Sequence, residues 1–292
     1  MLVRPVMFRG GGRLSGYASA GFTTLQSNVI DKFPFATDSN ATDVGDLTVA
    51  RLAPAGQSSN ISGYTSGGYL GAQLNVIDKF SFSTDSNATD VGDLTVSRQA
   101  PAGQSSAIYG YSGGGDSGTY SNVIDKFPFA TDSNATDVGD LTVARMQSAG
   151  QSSNISGYTS GGYLGAQSNV IDKFSFSTDS NATDVGDLTV ARSGIAGQSS
   201  AVNGYSSGGT GQSNVIDKFS FSTDSNATDV GDLTAGRGNS AGQSSNISGY
   251  SSGGITTVVV NIIDKFSFST DSNATDVGDL TVSRHVVCGQ QY

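Results

Sequence analysis

IDKFPFATDSNATDVGDLTVAR, residues 30–51, decides the fold, because this stretch recurs almost unchanged along the chain. Including this first copy, the starts are 47, 47, 47, 45 and 47 residues apart, the later ones being Ile77, Ile124, Ile171, Ile216 and Ile263. A fixed period of roughly 40–50 residues is typical of a solenoid, an array or a propeller. The fold therefore depends on how one unit buries its apolar residues against the next.

The composition favours an all-β chain. All 25 acidic residues are aspartate, and the chain has 40 glycines. Glutamate suits helices, whereas aspartate and glycine suit turns. The net charge of −10 makes a nucleic-acid partner a poor expectation, because phosphate contacts need lysine and arginine. One cysteine and one histidine exclude an internal disulfide framework and argue against a zinc site, so no metal and no cofactor are expected.

One unit, residues 54–98, contains the signals of four strands. Residues 55–61 predict the first strand, and Ser62-Gly63 predicts a two-residue hairpin turn with positive φ. Residues 64–68 predict the second strand. Residues 75–82 predict a third that is packed on both faces, and residues 89–97 a fourth with a bulge at Gly92. Four antiparallel strands in each of six units predict a six-bladed β-propeller.

The register of the repeat predicts how the ring closes. The A/C-G-Q motif occurs last in the tail VVCGQQY, and the N-terminus has no copy of it. Tyr292 aligns with Ser59 and Arg13 aligns with Asn60, so the last residue immediately precedes Arg13 in the repeat. We therefore expect the C-terminal tail to supply the innermost strand of the N-terminal blade. Residues 13–292 would form the propeller, and residues 1–12 a short arm without the features of a signal peptide or a membrane span.

The unit resembles the kelch repeat. Paired glycines (Gly67-Gly68 and Gly113-Gly114, for example) are followed by an aromatic–Asn segment (Phe82 and Asn87), and a small residue and an arginine end the unit. The family's tryptophan is replaced by Thr89, and Ala20-Gly21 stands in place of the first glycine pair. The wording NVIDKFPFAT…NATDVGDLTVAR also resembles kelch-like repeat proteins encoded by marine bacteriophages. That resemblance implies a virion-associated or host-surface-binding role, in the virion or at an extracellular surface.

The units differ in two places, which makes these places the candidate binding residues. One place follows the glycine pair and the other follows the arginine. In an up-and-down blade both lie at the same end, which is also the face where kelch-like propellers bind partners, as the resemblance implies. Tyrosine offers contact area and a hydrogen bond together. The candidate face comprises Tyr69, Leu70, Asp116, Tyr120, Tyr163, Leu164, Ile255, Leu52, Met146, Ile195 and His285. Unconstrained drift of loops is the alternative interpretation.

Three repeated polar features receive structural interpretations. The TDSNATD segments superficially resemble oxygen-rich calcium loops but lack the glycine and glutamate of an EF-hand, so we interpret them mainly as turns. Asp78 and Lys79, inside a strand packed on both faces, need partners, and Arg98 is a candidate. We expect the A/C-G-Q glutamines to line a polar, water-holding axial channel: Gln57, Gln104, Gln151, Gln198, Gln243 and Gln290.

The sequence favours a non-catalytic binding or structural protein. Catalysis needs an asymmetric group of residues, and one histidine, one cysteine and no glutamate leave little to build it from. The leading hypothesis is a phage propeller whose variable face contacts a protein or glycan of the host surface or a virion neighbour. A lectin-like module with about six equivalent weak glycan sites is the second hypothesis. A repeat scaffold without a ligand is the third.

Overall fold

The computed structural model describes residues 13–292, so the expected arm at residues 1–12 lies outside the described residues. The described part contains 24 strands arranged as six four-stranded antiparallel sheets. Each sheet is a blade, and the first strands of neighbouring blades contact one another around the axis. The six-bladed propeller predicted from the repeat is confirmed.

Each blade runs from an inner strand at the axis to an outer strand at the rim. Blade 1 contains β1 Ser15–Ser19, β2 Ser27–Pro34, β3 Thr42–Arg51 and the C-terminal strand β24 Cys288–Gln291. Blades 2 and 3 contain β4 Ala55–Ser58, β5 Ser62–Ser66, β6 Val76–Ser81, β7 Thr89–Asp93, β8 Ala102–Ser105, β9 Tyr109–Gly113, β10 Val123–Pro128 and β11 Thr136–Asp140. Blades 4 to 6 contain β12 Ala149–Ser152, β13 Ser156–Tyr163, β14 Gln167–Ser175, β15 Thr183–Asp187, β16 Ala196–Ser199, β17 Asn203–Ser207, β18 Val215–Ser220, β19 Thr228–Asp232, β20 Ala241–Ser244, β21 Ser248–Ser252, β22 Ile262–Ser267 and β23 Thr275–Asp279.

The third strand of each blade packs on both faces, as its sequence predicts. Ile77 is fully buried against Phe127 of the following blade. Phe80 and Phe82 point the other way and pack around Tyr17 of the preceding blade, with ring centroids 5.5 and 4.8 Å apart. Because side chains alternate across a strand, one strand thereby contributes to two blade interfaces.

The first hairpin turn lies two residues earlier than Ser62-Gly63, and that prediction was wrong. Ser62 opens β5, and the turn consists of Asn60 and Ile61, closed by the Ser59 amide bonding the Ser62 carbonyl at 2.9 Å. The Ser59 hydroxyl accepts hydrogen bonds from the Ile61 and Ser62 amides, so this turn uses no positive φ. Gly63 is a glycine for another reason: the Phe80 ring covers it and leaves no room for a Cβ.

The outer strand of blade 2 is shorter than predicted, because β7 ends at Asp93 instead of residue 97. The bulge expected at Gly92 is present as a register shift between Ile77 and Asp78. Gly92 has φ +151°, and a Cβ there would come within 2.6 Å of the Ser133 carbonyl oxygen in blade 3. The glycine therefore permits the close approach of two blades.

Paired glycines end the second strand in a left-handed conformation, with φ +67° at Gly67 and +115° at Gly68. In blade 3 the pair is Gly114-Gly115 instead of the predicted Gly113-Gly114. In blade 1, Ala20 adopts φ +63°, the conformation that glycine takes elsewhere, so the exception in the sequence leaves the backbone path unchanged.

The two ends of the described chain meet in blade 1. Strand β24 pairs with β1 in antiparallel register, with Tyr17 opposite Gln290. Tyr292 and Ser15 exchange backbone hydrogen bonds of 2.7 and 2.9 Å, and the bond from the Tyr292 amide corresponds to the one from the Ser59 amide to the Ser62 carbonyl. The closure predicted from the repeat register is confirmed.

Candidate binding face and axial rings

The two variable segments meet across every blade interface. The residue after each unit's arginine pairs with the residue after the glycine pair of the next blade. The Leu52 amide bonds the Tyr69 carbonyl at 3.1 Å, and the Tyr69 amide bonds the Leu52 carbonyl at 2.9 Å. Four other pairs share these two backbone bonds: Gln99–Asp116, Met146–Tyr163, Gly238–Ile255 and His285–Phe22. Between blades 4 and 5 the Thr210 amide bonds the Ser193 carbonyl at 2.8 Å, and the Ser193 amide donates to the Thr210 hydroxyl at 3.3 Å. We call the surface formed by these paired segments the variable face.

The predicted binding residues differ in how much they reach solvent. Leu70 is 44 % exposed, and Tyr120 and Leu164 are each 38 % exposed. Seven others are partly buried because they form the bridges or line the blade junctions: Tyr69, Asp116, Tyr163, Ile255, Leu52, Met146 and His285. Tyr120 and Tyr163 also touch edge to face, with ring centroids 6.0 Å apart.

Ile195 does not belong to the exposed face. It is buried and packs with Leu188 and Phe219 at the junction of blades 4 and 5. An aliphatic side chain at this position fills the blade interface beneath the loops. The sequence comparison identified the position as variable, but variability alone does not distinguish a packing residue from a contact residue.

Three residues of the variable face were missed from the sequence. Leu25 is 73 % exposed and Val258 is 64 % exposed. Phe22 occupies the place of Tyr69 in blade 1 and packs edge to face on His285, with ring centroids 5.8 Å apart. The loop of blade 1 follows Ala20-Gly21, so it lacks the paired glycines that precede the other variable loops.

A closed ring of backbone hydrogen bonds surrounds the axis at the variable face. Its members lie two residues after each unit's arginine, and each amide bonds the carbonyl of the preceding member at 2.6–3.0 Å. All have left-handed φ values of 49–62°. The members are Ala53, Ala100, Gln147, Gly194, Asn239 and Val286. Every blade is therefore tied to both neighbours at the mouth of the axis.

The depression inside this ring is small. Its volume is about 80 Å³, and Pro54, Pro101, Ile195 and Val287 contribute to its wall. Sites for drug-sized ligands usually occupy about 300–1,000 Å³. The depression suits a few small atoms, so recognition of a large ligand would have to use the surrounding loops.

The six predicted channel residues lie between blades instead of facing an open channel. Gln57 is 1 % exposed, and its Nε2 donates to the Tyr111 carbonyl at 2.9 Å and to the Ser112 hydroxyl at 3.0 Å. The same inter-blade position holds Gln104, Gln151, Gln198, Gln243 and Gln290, each at most 1 % exposed. A buried amide needs such partners, which the neighbouring blade supplies.

Glycines and serines occupy the axis itself. A Cβ on Gly103 would overlap the Gly56 carbonyl, and the same relation continues around the axis through Gly150, Gly197, Gly242 and Gly289. A second ring is formed by the Ser58 amide donating to the Ser105 hydroxyl at 2.9 Å and by its equivalents. Gln291 takes the serine's place in β24. The inner strands thus touch directly.

Buried ion pairs join each blade to the next. Asp78 lies 2.8 Å from Arg51, and both side chains have no exposed surface. The Asp78 carboxylate also accepts from the Thr48 amide at 3.0 Å and the Thr48 hydroxyl at 2.6 Å. The expected pairing of Asp78 is confirmed, but its partner is Arg51 of the preceding blade. Arg98 pairs instead with Asp125 of the following blade.

Burial shifts the pKa values of both the arginines and the tyrosines at the blade interfaces. Desolvation lowers the pKa of the Arg51 guanidinium, and the Asp78 carboxylate opposes that shift. Desolvation also raises the pKa of Tyr64, Tyr111 and Tyr250 to about 12. Tyr64 stacks on Phe129 of the next blade at a centroid distance of 4.7 Å, so its phenol is held in an apolar layer.

The TDSNATD turns hold neighbouring blades together at the other face. Lys32 lies 3.0 Å from Asp85 of the next blade, and Lys79 lies 2.9 Å from Asp132. The Asn87 side-chain oxygen accepts from the Asp46 amide at 3.1 Å. These contacts agree with the structural interpretation of the turns. Across residues 13–292, no group of three or more His, Cys or Asp side chains is arranged to hold a metal ion.

His285 and Cys288 occupy separate environments. His285 belongs to the bridge with Phe22, and partial burial lowers its pKa. Cys288 is buried, with its Sγ 3.2 Å from the Ser19 hydroxyl and 3.2 Å from Gln290 Nε2. Desolvation raises the pKa of the Cys288 thiol, so the reactive thiolate is disfavoured there.

Comparison with known proteins does not assign the chain to a family. No protein-family model matches it. No curated protein matches it either. No helix that could cross a membrane occurs between residues 13 and 292.

Proposed function

We propose that this protein is a non-catalytic binding module whose variable face contacts one macromolecular partner. One observation carries the proposal: hydrogen bonds join the two variable segments across every blade interface on a single face. Five of the six connections use only backbone atoms, as in the Leu52–Tyr69 pair, so their side chains can change without breaking them. A constant support therefore presents a changeable surface, which is the arrangement that recognition requires.

The chemistry of the face supports an asymmetric partner. Leu25, Leu70, Leu164 and Val258 expose large aliphatic areas at unequal positions around the ring. Tyr120 adds an exposed aromatic ring beside Tyr163. An unequal pattern of anchors favours one partner in one orientation over six equal ligands.

The proposed biological setting is a phage particle, with the partner on the host surface or in the virion. It is supported by the resemblance of the repeat to the kelch-like proteins of marine bacteriophages. A catalytic role is disfavoured because His285 packs on Phe22 while Cys288 is buried among Ser19 and Gln290. A nucleophile needs a base within hydrogen-bond reach.

Binding to cells of marine bacteria and to a glycan array tests the proposal. The triple variant Leu70→Ser/Leu164→Ser/Val258→Ser should lose at least tenfold in affinity while its melting temperature stays unchanged. The matched control Ile61→Ser/Ile155→Ser, on the opposite face, should bind as the unaltered protein does.

Equal binding by the triple variant would refute the proposed face. Titration calorimetry distinguishes the lectin alternative, because six equivalent sites would give a stoichiometry near six sugars per chain. One partner per chain is the result expected here.

A further inference from the structure

A ring of exposed aliphatic side chains surrounds the axis on the face opposite the variable loops. Five members lie in the turn between the first and second strands of blades 2 to 6, and Leu14 holds the equivalent position beside the chain ends in blade 1. Each carbonyl accepts a hydrogen bond from the phenylalanine amide that ends the third strand, as Ile61 does from Phe82 at 3.0 Å. The members, called the aliphatic ring, are Leu14, Ile61, Ile108, Ile155, Val202 and Ile247, and they are 57–73 % exposed.

The turn does not need these side chains. The Ser59 hydroxyl closes it by accepting from two backbone amides, and exposed turns ordinarily favour Gly, Asn, Asp and Ser. The position before the ring residue changes chemistry freely, being Arg13, Asn60, Ala107, Asn154, Ala201 and Asn246. The ring position changes identity among Leu, Ile and Val, but it remains aliphatic in every unit. Apolar character is therefore what this position retains.

The exposed ring is large enough to anchor an interface. Six such side chains present on the order of 700 Å², against about 800 Å² per partner in a standard protein interface. Exposed aliphatic side chains of this total area, repeated at one position of every blade on one face, point to an interaction site.

The surroundings of the ring are acidic. Asp85 lies three residues beyond Phe82, in the TDSNATD turn, and Asp90 ends that segment. Each blade supplies these two aspartates and one lysine, since the Asp78-type carboxylates are paired with arginine inside the interfaces. The lysine pairs with the Asp85-type carboxylate of the next blade, so the border keeps one net negative charge per blade, at the Asp90 position. Two copies of this chain placed face to face would bring two acidic borders together. A basic partner gains attraction at the same place.

We propose that the aliphatic ring and its acidic border dock a cationic protein segment. Aliphatic or aromatic side chains of that segment contact Ile61 and its equivalents, while its lysines or arginines pair with Asp90 and its equivalents, which are exposed and form no ion pair within residues 13–292. The propeller then has two binding faces. The variable face recognises its partner, and the face with the aliphatic ring attaches the protein to a positively charged protein segment.

A synthetic peptide of alternating leucine and lysine, labelled with a fluorophore, tests the docking of a cationic segment on the full chain. Anisotropy titration should show binding that weakens at least tenfold in the variant Ile61→Thr/Ile108→Thr/Ile155→Thr/Val202→Thr/Ile247→Thr. Threonine keeps the β-branched shape, so the turns should still form. The matched control Leu25→Thr/Leu70→Thr/Leu164→Thr/Val258→Thr changes the other face and should leave the affinity unchanged. Added salt should weaken binding, and a leucine–glutamate peptide should not bind.

Several outcomes would overturn the proposal. They are failure of the leucine–lysine peptide to bind, equal binding of the leucine–glutamate peptide, or unchanged affinity in the ring variant. Self-association that the ring variant abolishes, seen by sedimentation, would assign the ring to a second copy. Binding only after residues 1–12 are removed would assign it to the chain's own first residues. The control variant separates this face from the variable one, so each proposal can fail alone.

Discussion

The blade interfaces and the variable face follow opposite rules. At the interfaces, residues such as Asp78, Arg51 and Gln57 recur in every unit and are almost completely buried. At the variable face, Leu70 and its equivalents differ from blade to blade and reach solvent. The interfaces depend on specific side chains, whereas the bridges of the face depend on backbone atoms. The repeated interface residues therefore stabilise the fold, whereas the residues that differ between blades give the variable face its specific chemistry.

Removing the closing strand is the most severe way to break this arrangement. Deleting Cys288–Tyr292 removes β24, which pairs with β1 and lies between the inner strands β20 and β4 at the axis. We expect a fall in the melting temperature of at least about 10 °C, since each kcal/mol lost shifts it by about 2–4 °C in a domain of this size class. Calorimetry would measure the change.

A circular permutant is the matched control. Joining Tyr292 directly to Arg13 and opening the chain at Gly71, in an exposed loop, keeps every blade complete. It should melt close to the intact chain. If the deletion variant also melted there, the inner strand of blade 1 would not be needed for closure.

Asp78 and Lys79 are neighbours in β6, but one forms a buried ion pair and the other an exposed one, so they should differ in their contribution to stability. Asp78→Ala should lower the free energy of unfolding by about 3–5 kcal/mol, because Arg51 would be left buried without its counter-charge. Lys79→Ala removes an ion pair whose aspartate is 60 % exposed and should cost less than about 1 kcal/mol. Urea denaturation measures both, and equal losses would contradict the distinction.

An added side chain should be less tolerated in the inner strand at the axis, where Gly103 lies, than in the second strand, where Gly113 lies. Gly103→Ala should destabilise the protein by about 1–3 kcal/mol, because the new Cβ would overlap the Gly56 carbonyl and force two inner strands apart. Urea denaturation would show this loss, and an unchanged midpoint would contradict the close contact of the inner strands.

Gly113→Ser, in contrast, should stabilise the protein. Gly113 holds the place of Ser66, whose hydroxyl bonds Gln57, and its own neighbour Gln104 has an unpartnered Oε1. The nearest atoms to an added Cβ are 3.7 Å away. Pairing that oxygen should stabilise the protein by about 0.5–1.5 kcal/mol. A lower melting temperature would contradict this account of Gln104.

The buried tyrosines should make stability depend on pH only in alkali, with no effect at neutral pH. Tyr64, Tyr111 and Tyr250 have folded-state pKa values raised by burial to about 12. Their stabilising contribution is complete below the unfolded pKa of about 10 and is lost as the pH rises toward about 12. Tyrosinate absorbance should show these phenols ionising with unfolding. Reversible ionisation near pH 10 in the folded state would contradict their burial.

The sequence by itself determined the repeat, the number of blades and the closure of the ring. These depend on periodicity and register within the chain: Tyr292 aligns with Ser59, so the tail had to complete the first blade. The two-sided packing of β6 also followed from the alternation of Ile77 with Phe80 and Phe82. Side chains alternate between the two faces of a strand, so a short stretch of sequence already shows which residues share a face.

Contacts between blades were decided only by the tertiary structure. Asp78 pairs with Arg51 instead of Arg98, and Gln57 bonds the neighbouring blade instead of lining a channel. Ile195 is buried and Ile61 is exposed, although both are aliphatic residues beside turns. One unit read alone does not show which face of its neighbour it meets. The distance and tilt between adjacent sheets select each partner, and those are set by the closed ring as a whole.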